Sequence, residues 1–300
     1  MAAKLVGTVA AGDILGEGPV WNPADRRLWW TDIQNRRLRS LDPNSGQVTD
    51  VATPERVGSY ALVAGAPGVF LVAFETGLGL LTLADGAINW LERPELGETG
   101  RRFNDGRVDR QGRFWAGTMV ENSDLAAKDS AALWRTDASG ALTICETGVQ
   151  ISNGLAFSPD GRTVYFADSP RQQIYAYDLD PDTGAISGKR LFAQVERGYP
   201  DGATVDSEGC LWSARWGAGE VVRHAPDGRE IEVVKTAASQ PTCPAFGGDG
   251  LKTLFVTSAS EDLSTTERAE QPSAGDVFMF EVSVPGLAEC EFKFAPPRSI

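Results

Sequence analysis

Short apolar runs alternate with clusters of turn-forming residues along the whole chain. Near the N-terminus the runs GPVWN, RLWWTD, RRLRSLD and GQVTDV are separated by NPADR, IQN and DPNSG. Asn, Asp, Pro and Gly supply the backbone dihedrals of turns, and alternation within the runs is typical of strands. The same order recurs in GLAFSP, RTVYFAD, QQIYAYDLD and ISGKRLFAQ. The pattern predicts a repeating unit of four strands.

Six such units align on one polar position at the start of an apolar strand. This column, as we call it, contains Glu17, Ser59, Asn104, Asn153, Asp201 and Thr242, at intervals of 41 to 49 residues. Four-stranded repeats with a period of about 40–50 residues are typical of a β-propeller. A β-sandwich is the alternative for many short strands, but it does not explain a repeated polar position.

We therefore predict an all-β, six-bladed propeller with four antiparallel strands per blade. Its blades would begin near the six column positions, within one domain over residues 1–300. The N-terminal run KLVGTVA is expected to complete the last blade beside DVFMFEVSV, because such closure removes an exposed sheet edge.

Propeller geometry places the column at one mouth of a central channel. The first strand of each blade lines the channel, so the connections into first strands and the loops between second and third strands share one face. The rim of that mouth should contain residues 94–103, 120–130, 194–199 and 258–275. Long polar loops on a regular scaffold commonly shape a ligand pocket.

The net charge of −13 argues against nucleic acid or an anionic membrane as a partner, because both are bound by basic surfaces. The N-terminal sequence MAAKLVGTVAAGDILGEG has no apolar run long enough for a signal peptide or a membrane span. The cysteines lack C-x-x-C spacing, which is typical of reduced thiols. These features predict a cytoplasmic protein that binds a small molecule.

The single histidine, His224, restricts the possible chemistry. A zinc site rich in histidine is excluded, and any mechanism of the Ser-His-Asp or Cys-His type would have to use this residue. His224 lies in VVRHAPDGRE, at the end of an outer strand beside a turn. We predict a surface histidine without a catalytic role.

The column is rich in oxygen donors. Glu17 and Asp201 are carboxylates, and Asn104 and Asn153 carry amide oxygens. These hard donors suit Ca²⁺, Mg²⁺ or Mn²⁺ and tolerate Zn²⁺ or Fe²⁺. The other two members, which carry hydroxyl groups, are expected only to line the channel. The column therefore predicts one divalent-metal site with positions left open for water and substrate.

Arg102 lies two residues before Asn104 on the same side of the predicted mouth. Its guanidinium can bind the hydroxyls or a carboxylate of a polar ligand. The alternative is a salt bridge on the rim with Glu95 or Glu98. Asp105 could orient a ligand amide or a water from behind the site.

The motifs LGEGPVW, RFNDGRVD, GRFWAGTM, ISNGLAFSPDG and YPDGATVDSEG occur in this order and closely resemble those of the senescence marker protein/gluconolactonase (regucalcin-like) family. The similarity extends from about Leu15 to Phe280. The resemblance implies a six-bladed propeller that hydrolyses sugar lactones to aldonic acids with one divalent cation.

The resemblance also assigns roles to motif residues. It implies that Glu17, Asn153 and Asp201 bind the metal, which acts as a Lewis acid on the lactone carbonyl. Asp201 is the family's proposed base. A carboxylate bound to a cation has a lowered pKa, so activation of the attacking water by the metal itself remains an alternative.

Substrate contacts are implied for three further residues. Arg102 would bind the substrate, and Asn104 would lie beside both the metal and the substrate. Glu121 corresponds to the first residue of an acidic pair that helps to hold the sugar in animal relatives. The second position is Asn122 here, and this departure leaves the identity of the lactone open.

Two other functions are compatible with the same residues. One is a propeller that binds calcium or another ligand without catalysis. The other is a phosphotriesterase-like hydrolase that uses the cation on a phosphorus ester. The sequence does not indicate which metal is bound or whether the protein forms oligomers.

Overall fold

The computed structural model describes residues 3–295, in which the strands form six four-stranded antiparallel sheets. Five sheets take four consecutive strands, and the sixth combines the first strand of the chain with the last three. The first strand of each sheet contacts its counterparts in the two neighbouring sheets, and these contacts close into a ring. The predicted six-bladed propeller, closed by its N-terminal strand, is confirmed.

The bounds of the elements follow the predicted repeats. The strands of the first three blades are β2 (Gly16–Asn22), β3 (Arg27–Asp32), β4 (Arg37–Asp42), β5 (Gln47–Ala52), β6 (Val57–Leu62), β7 (Val69–Phe74), β8 (Leu78–Thr82), β9 (Ile88–Glu92), β10 (Arg101–Val108), β11 (Phe114–Val120), β12 (Ala131–Thr136) and β13 (Leu142–Val149). Those of the last three blades are β14 (Ser152–Phe157), β15 (Thr163–Asp168), β16 (Gln173–Leu179), β17 (Ile186–Gln194), β18 (Tyr199–Val205), β19 (Leu211–Trp216), β20 (Glu220–His224), β21 (Glu230–Lys235), β22 (Pro241–Gly247), β23 (Thr253–Ser258), β24 (Val277–Glu281) and β1 (Lys4–Val9).

Helical structure is confined to connections. Two short 3₁₀ turns cover Ser169–Arg171 and Asp249–Leu251. Helix α1 (Thr265–Glu270) begins with a capping box between Ser264 and Glu267, which satisfies free N–H groups at its start. Over residues 3–295, no helix has the length and apolar character needed to cross a membrane.

Tryptophans tie the blades to one another. In three blades the indole N–H of a second-strand tryptophan donates to an aspartate in the preceding turn. The pairs are Trp29–Asp25 (3.0 Å), Trp115–Asp109 (3.0 Å) and Trp212–Asp206 (2.9 Å). Each of these rings also contacts a phenylalanine of the next blade, in the pairs Trp29–Phe70, Trp115–Phe157 and Trp212–Phe246. One side chain thus fixes a turn and an interface between blades.

The segment after β24 crosses the channel mouth that lies opposite the column. The repeating pattern did not predict this crossing. The backbone N–H groups of this segment at Gly286, Phe292 and Lys293 donate to backbone carbonyls of three different blades. Glu289 forms an ion pair with Arg107 of the inner strand β10. This segment therefore covers the far end of the channel, and the column faces the open end.

The prediction of a surface position for His224 is wrong, because its side chain is only 1% exposed. The ring packs against Phe192 of the neighbouring blade. Its Nδ1 lies 2.9 Å from Gly228 O and its Nε2 lies 2.6 Å from Arg215 Nη2. A neutral ring that donates from Nδ1 and accepts at Nε2 satisfies both partners. Burial and the Arg215 charge lower the pKa of His224 to about 4.

This depressed pKa predicts a loss of stability in mild acid. The folded state resists protonation of His224 more than the unfolded state does, so stability falls as pH drops from the unfolded pKa towards the folded one. Between pH 7.5 and pH 5.0 the loss should reach about 2 kcal/mol, at roughly 1.4 kcal/mol per pH unit below 6.5. Urea unfolding at both pH values should show this loss as the difference between the wild type and His224→Asn, because the other titrating groups are common to both proteins. Equal losses would contradict the assigned protonation state.

Candidate functional site

Every inner strand changes its pairing register at the column. The shifts lie between Glu17 and Val20, Val57 and Ser59, Phe103 and Gly106, Asn153 and Ala156, Pro200 and Ala203, and Pro241 and Pro244. A β-bulge adds a residue to one strand and redirects the side chains there. Gly18 and Gly154, which follow two column residues, adopt φ of 55° and 64°, a conformation that favours glycine.

Two carboxyl groups meet at the axis. Glu17 and Asp201 are 7% and 6% exposed and lie within hydrogen-bonding reach of each other. Burial raises the pKa of both groups, and neighbouring carboxylates raise it further, Asp105 for Glu17 and Glu17 for Asp201. The N–H of Gly18 donates to Glu17 Oε2 at 2.8 Å. Two carboxyl groups that resist ionising together are thus held out of water, and a bound cation would stabilise their charged forms.

The two column asparagines are locked to each other. Asn104 Nδ2 donates to Asn153 Oδ1 (3.1 Å) and to Ser152 O (2.9 Å). Asn153 Nδ2 donates to Ser169 Oγ (2.8 Å), which in turn donates to Pro200 O (2.6 Å). This chain of donors fixes the amide orientation of Asn153 and leaves one lone pair of its Oδ1 for another partner.

Arg102 is buried and does not form the predicted alternative salt bridge with Glu95 or Glu98. Its neighbour Arg101 pairs with both of those glutamates instead. The Nη1 of Arg102 donates to Asn104 Oδ1 (2.8 Å) and its Nε donates to Glu121 Oε1 (3.1 Å). The Nη2 of Arg102 makes no hydrogen bond to residues 3–295, so its two N–H groups are available to a ligand.

The column faces an open cavity of about 400 Å³. Glu17, Arg102, Asn104, Asn153 and Asp201 all line it, so the structure brings these predicted site residues together. Glu121 is not among the lining residues of this cavity. It stands on the rim, where Arg56 Nη1 (2.6 Å) and Nη2 (2.9 Å) also donate to it.

The remaining predicted residues lie around this centre. Ser59 is buried, and its Oγ has no hydrogen-bond partner in residues 3–295. Thr242 Oγ1 donates to Gly16 O, next to Glu17, and so joins the last blade to the first. Asp105 Oδ2 accepts from Leu155 N at 2.8 Å. Asn122 accepts from Asp124 N (2.9 Å) in a local turn and lies outside the cavity lining.

Sequence reasoning singled out Arg102 but missed the other members of a second set of cavity residues, placed two positions before the column. Leu15, Arg102, Ile151 and Tyr199 occupy this position in four blades, and all of them line the cavity. Side chains alternate along a strand, so the residue two positions before each column residue faces the same side as that column residue. This alternation would have identified the set from the sequence. Glu261, from the predicted rim segment 258–275, lines the cavity as well and accepts from Gln34 Nε2 (2.5 Å).

The donor set fits a divalent cation. Two carboxylates and an oriented amide oxygen are hard ligands whose charge balances one divalent ion. Within residues 3–295, no cluster of three or more His, Cys, Asp or Glu side chains is arranged to hold a metal. A cation held by Glu17, Asn153 and Asp201 would have fewer protein ligands than the roughly six oxygens that such ions take, and so would keep positions open for water and substrate.

Comparisons with known proteins agree with this architecture. Residues 15–260 match the family model described as SMP-30/Gluconolactonase/LRE-like region. The chain is 41% identical to 6-deoxy-6-sulfogluconolactonase of Pseudomonas putida, over 92% of this chain and 94% of that protein. It is 36% identical to L-arabinolactonase of Azospirillum brasilense, over 94% and 93% of the two chains.

A solved structure of similar shape is regucalcin from Agrobacterium tumefaciens, described as a calcium-binding protein. It superimposes with a TM-score of 0.91 at 33% identity and covers 96% of this chain and 98% of its own. The family model spans well over half of the chain, and the propeller with its column is present throughout that span. The chain belongs to the SMP-30/gluconolactonase/LRE-like family.

Proposed function

We propose that this chain is a lactonase that hydrolyses a sugar lactone to the corresponding aldonic acid. The observation that carries this proposal is the convergence of two buried carboxyls, two interlocked amides and a buried guanidinium on one open cavity. The names of two relatives in the same family, a sulfogluconolactonase and an arabinolactonase, support the same reaction class.

Glu17, Asn153 and Asp201 would hold one divalent cation, whose identity among Ca²⁺, Mg²⁺, Mn²⁺, Zn²⁺ and Fe²⁺ the donor set leaves open. When bound, the cation supplies Lewis-acid polarisation of the lactone carbonyl. Asn104 contributes indirectly, because its amide holds the oxygen of Asn153 in place.

Asp201 acts as the general base in this proposal. One of its oxygens accepts a proton from water as the water oxygen bonds to the carbonyl carbon. Collapse of the tetrahedral intermediate breaks the bond to the ring oxygen, and the proton passes from Asp201 to that oxygen. The product is the open-chain hydroxy acid. No covalent nucleophile is needed, because a lactone is already an activated ester.

Arg102 orients the substrate through the two free N–H groups of its Nη2. Arg102→Met should lower kcat/KM at least about 100-fold, because a positioned charge-assisted hydrogen bond is lost. Arg101→Met is a matched control, since it removes the neighbouring guanidinium, which within residues 3–295 pairs with Glu95 and Glu98. We expect kcat/KM of that variant to stay within about twofold of the wild type, because Arg101 does not line the cavity and so loses no contact with the substrate. Similar losses in both variants would remove Arg102 from substrate binding.

A pH-stat assay tests the function itself. Chelator-treated protein is given each divalent cation and then a panel of aldonolactones, a phosphotriester and a buffer blank. Acid release from at least one aldonolactone, restored by a cation, is the expected result. Cation binding without acid release would instead identify a binding protein. Turnover of the phosphotriester alone would identify a phosphotriesterase-like hydrolase.

A further inference from the structure

The cavity has two chemically different walls. Three of the four lining residues two positions before the column are hydrophobic or aromatic, Leu15, Ile151 and Tyr199, and only Arg102 is charged. Met119, Pro170 and Trp216 extend the apolar side. We call the set Met119, Ile151, Pro170, Tyr199 and Trp216 the apolar arc. Sugar hydroxyls that face such a surface lose water without gaining a hydrogen-bond partner.

The apolar arc is built into the scaffold. Met119, near the end of β11, and Ile151, just before β14, form an antiparallel bridge that joins two blades at the rim. Trp216 packs against the buried cluster of Leu15, Ile33 and Ala259. Tyr199 remains 48% exposed at the mouth. These anchors make the arc a fixed wall.

The remaining wall is charged and begins beside the arc, because Arg102 is the cross-strand partner of Met119. Its cations are already paired with carboxylates. Glu121 lies between Arg102 and Arg56, and Arg56 also donates to Glu75 at 2.7 Å and 3.0 Å. Arg102 is the one cationic side chain that lines the cavity within residues 3–295. An anionic group that approaches Arg102 would lie near Glu121 and Glu261, whose negative charges repel it. This wall therefore suits neutral hydroxyl groups, which can add hydrogen bonds without displacing a carboxylate.

We propose that the substrate is an uncharged sugar lactone that ends in a methyl group, a 6-deoxyaldonolactone. This inference rests on the proposed lactonase function and specifies its substrate class. With the carbonyl at the floor, ring hydroxyls face Arg102 and the charged wall, and the exocyclic end of the sugar faces the apolar arc. A methyl group gains burial there, whereas a hydroxymethyl group loses hydrogen bonds to water. A sulfonated end would lose more, because it brings a charge to an apolar surface.

The test uses matched lactones that share a ring configuration and differ only at C6, which carries a methyl, a hydroxymethyl or a sulfomethyl group. The gluco, galacto and manno configurations are each assayed with cation-loaded protein. We expect kcat/KM for the methyl member to exceed that for the hydroxymethyl member at least about tenfold, the scale on which an apolar pocket discriminates single groups. The sulfomethyl member should be slowest. A hydroxymethyl or sulfomethyl member that equals or exceeds the methyl member in every configuration hydrolysed would overturn the proposal.

A variant pair assigns the preference to the apolar arc. Met119→Gln keeps the side-chain length but adds a polar amide, and it should bring the ratio of methyl to hydroxymethyl kcat/KM close to one. Leu191→Gln makes a similar change on the outer strand β17, where the side chain is 54% exposed, and should keep the wild-type ratio. An unchanged ratio in Met119→Gln would overturn the proposed role of the arc. Hydrolysis of no lactone with any cation would contradict the lactonase function itself, and the substrate inference with it.

Discussion

Asp201→Asn will lower kcat for lactone hydrolysis at least about a thousandfold, because the change removes both the proposed base and a charged metal ligand. The amide is nearly the same size as the carboxyl, so the propeller should remain folded. Burial and the charge of Glu17 raise the pKa of Asp201 well above its usual value. Replacing one member of this buried pair should therefore leave thermal stability in metal-free buffer unchanged or higher.

Ser59→Ala is the control from the same column. Its hydroxyl is buried in the channel without a hydrogen-bond partner in the described residues, and we assign it no role in binding or catalysis. Its kcat should stay within about twofold of the wild type, as expected for the loss of an unpaired hydroxyl. If Asp201→Asn retained a tenth or more of the wild-type kcat while Ser59→Ala behaved normally, Asp201 would not be the base.

Glu17→Gln should weaken the binding of a divalent cation at least about 100-fold, because one of two charged ligands becomes neutral. Asn153→Ala should have a smaller effect, about tenfold, because it removes a neutral donor that Asn104 and Ser169 hold in place. Calorimetric titration of chelator-treated protein with Ca²⁺ and with Mn²⁺ measures both effects.

The order of the affinities is the informative result. Wild type and Ser59→Ala should bind alike, Asn153→Ala should bind more weakly, and Glu17→Gln should bind most weakly. A Glu17→Gln protein with wild-type affinity would place the cation elsewhere. Circular dichroism spectra of all four proteins should coincide, since none of the changes removes a backbone hydrogen bond.

The repeating pattern was sufficient to predict the blades because each one is a local unit. Four short apolar runs and three turns recur within fewer than fifty residues, so the strands and their order can be read along the chain. The column could be predicted for the same reason, because Glu17 and Asp201 occupy the equivalent position in two repeats. Closure by β1 followed from the missing strand of the last blade.

Features that depend on contacts between residues distant in the chain could not be predicted from the sequence. The bulges at the column depend on the register of the neighbouring strand, which the sequence of one strand does not specify. The segment that carries Glu289 has no counterpart in the repeats, so its position across the channel follows only from contacts such as that with Arg107. His224 was predicted to be exposed because it lies at the end of an outer strand beside a turn, but Phe192 of the preceding blade covers it.

The ion pairs of Arg101 and Arg102 are a further example of contacts that a short segment of sequence does not specify. Two adjacent arginines precede the column residue Asn104, and their closeness in sequence to Glu95 and Glu98 does not decide which of them these glutamates bind. Strand alternation separates them: Arg101 faces the rim carboxylates, and Arg102 faces the cavity and Glu121.

We propose that three members of the column, Glu17, Asn153 and Asp201, hold the cation on which activity depends. The most direct test is an anomalous difference map from crystals grown with saturating Mn²⁺. We expect one strong peak about 2.0–2.6 Å from carboxylate oxygens of Glu17 and Asp201 and from Asn153 Oδ1, the range of oxygen–cation distances in proteins. A peak at another position, such as beside Glu289 at the far end of the channel, or no peak at all, would contradict it.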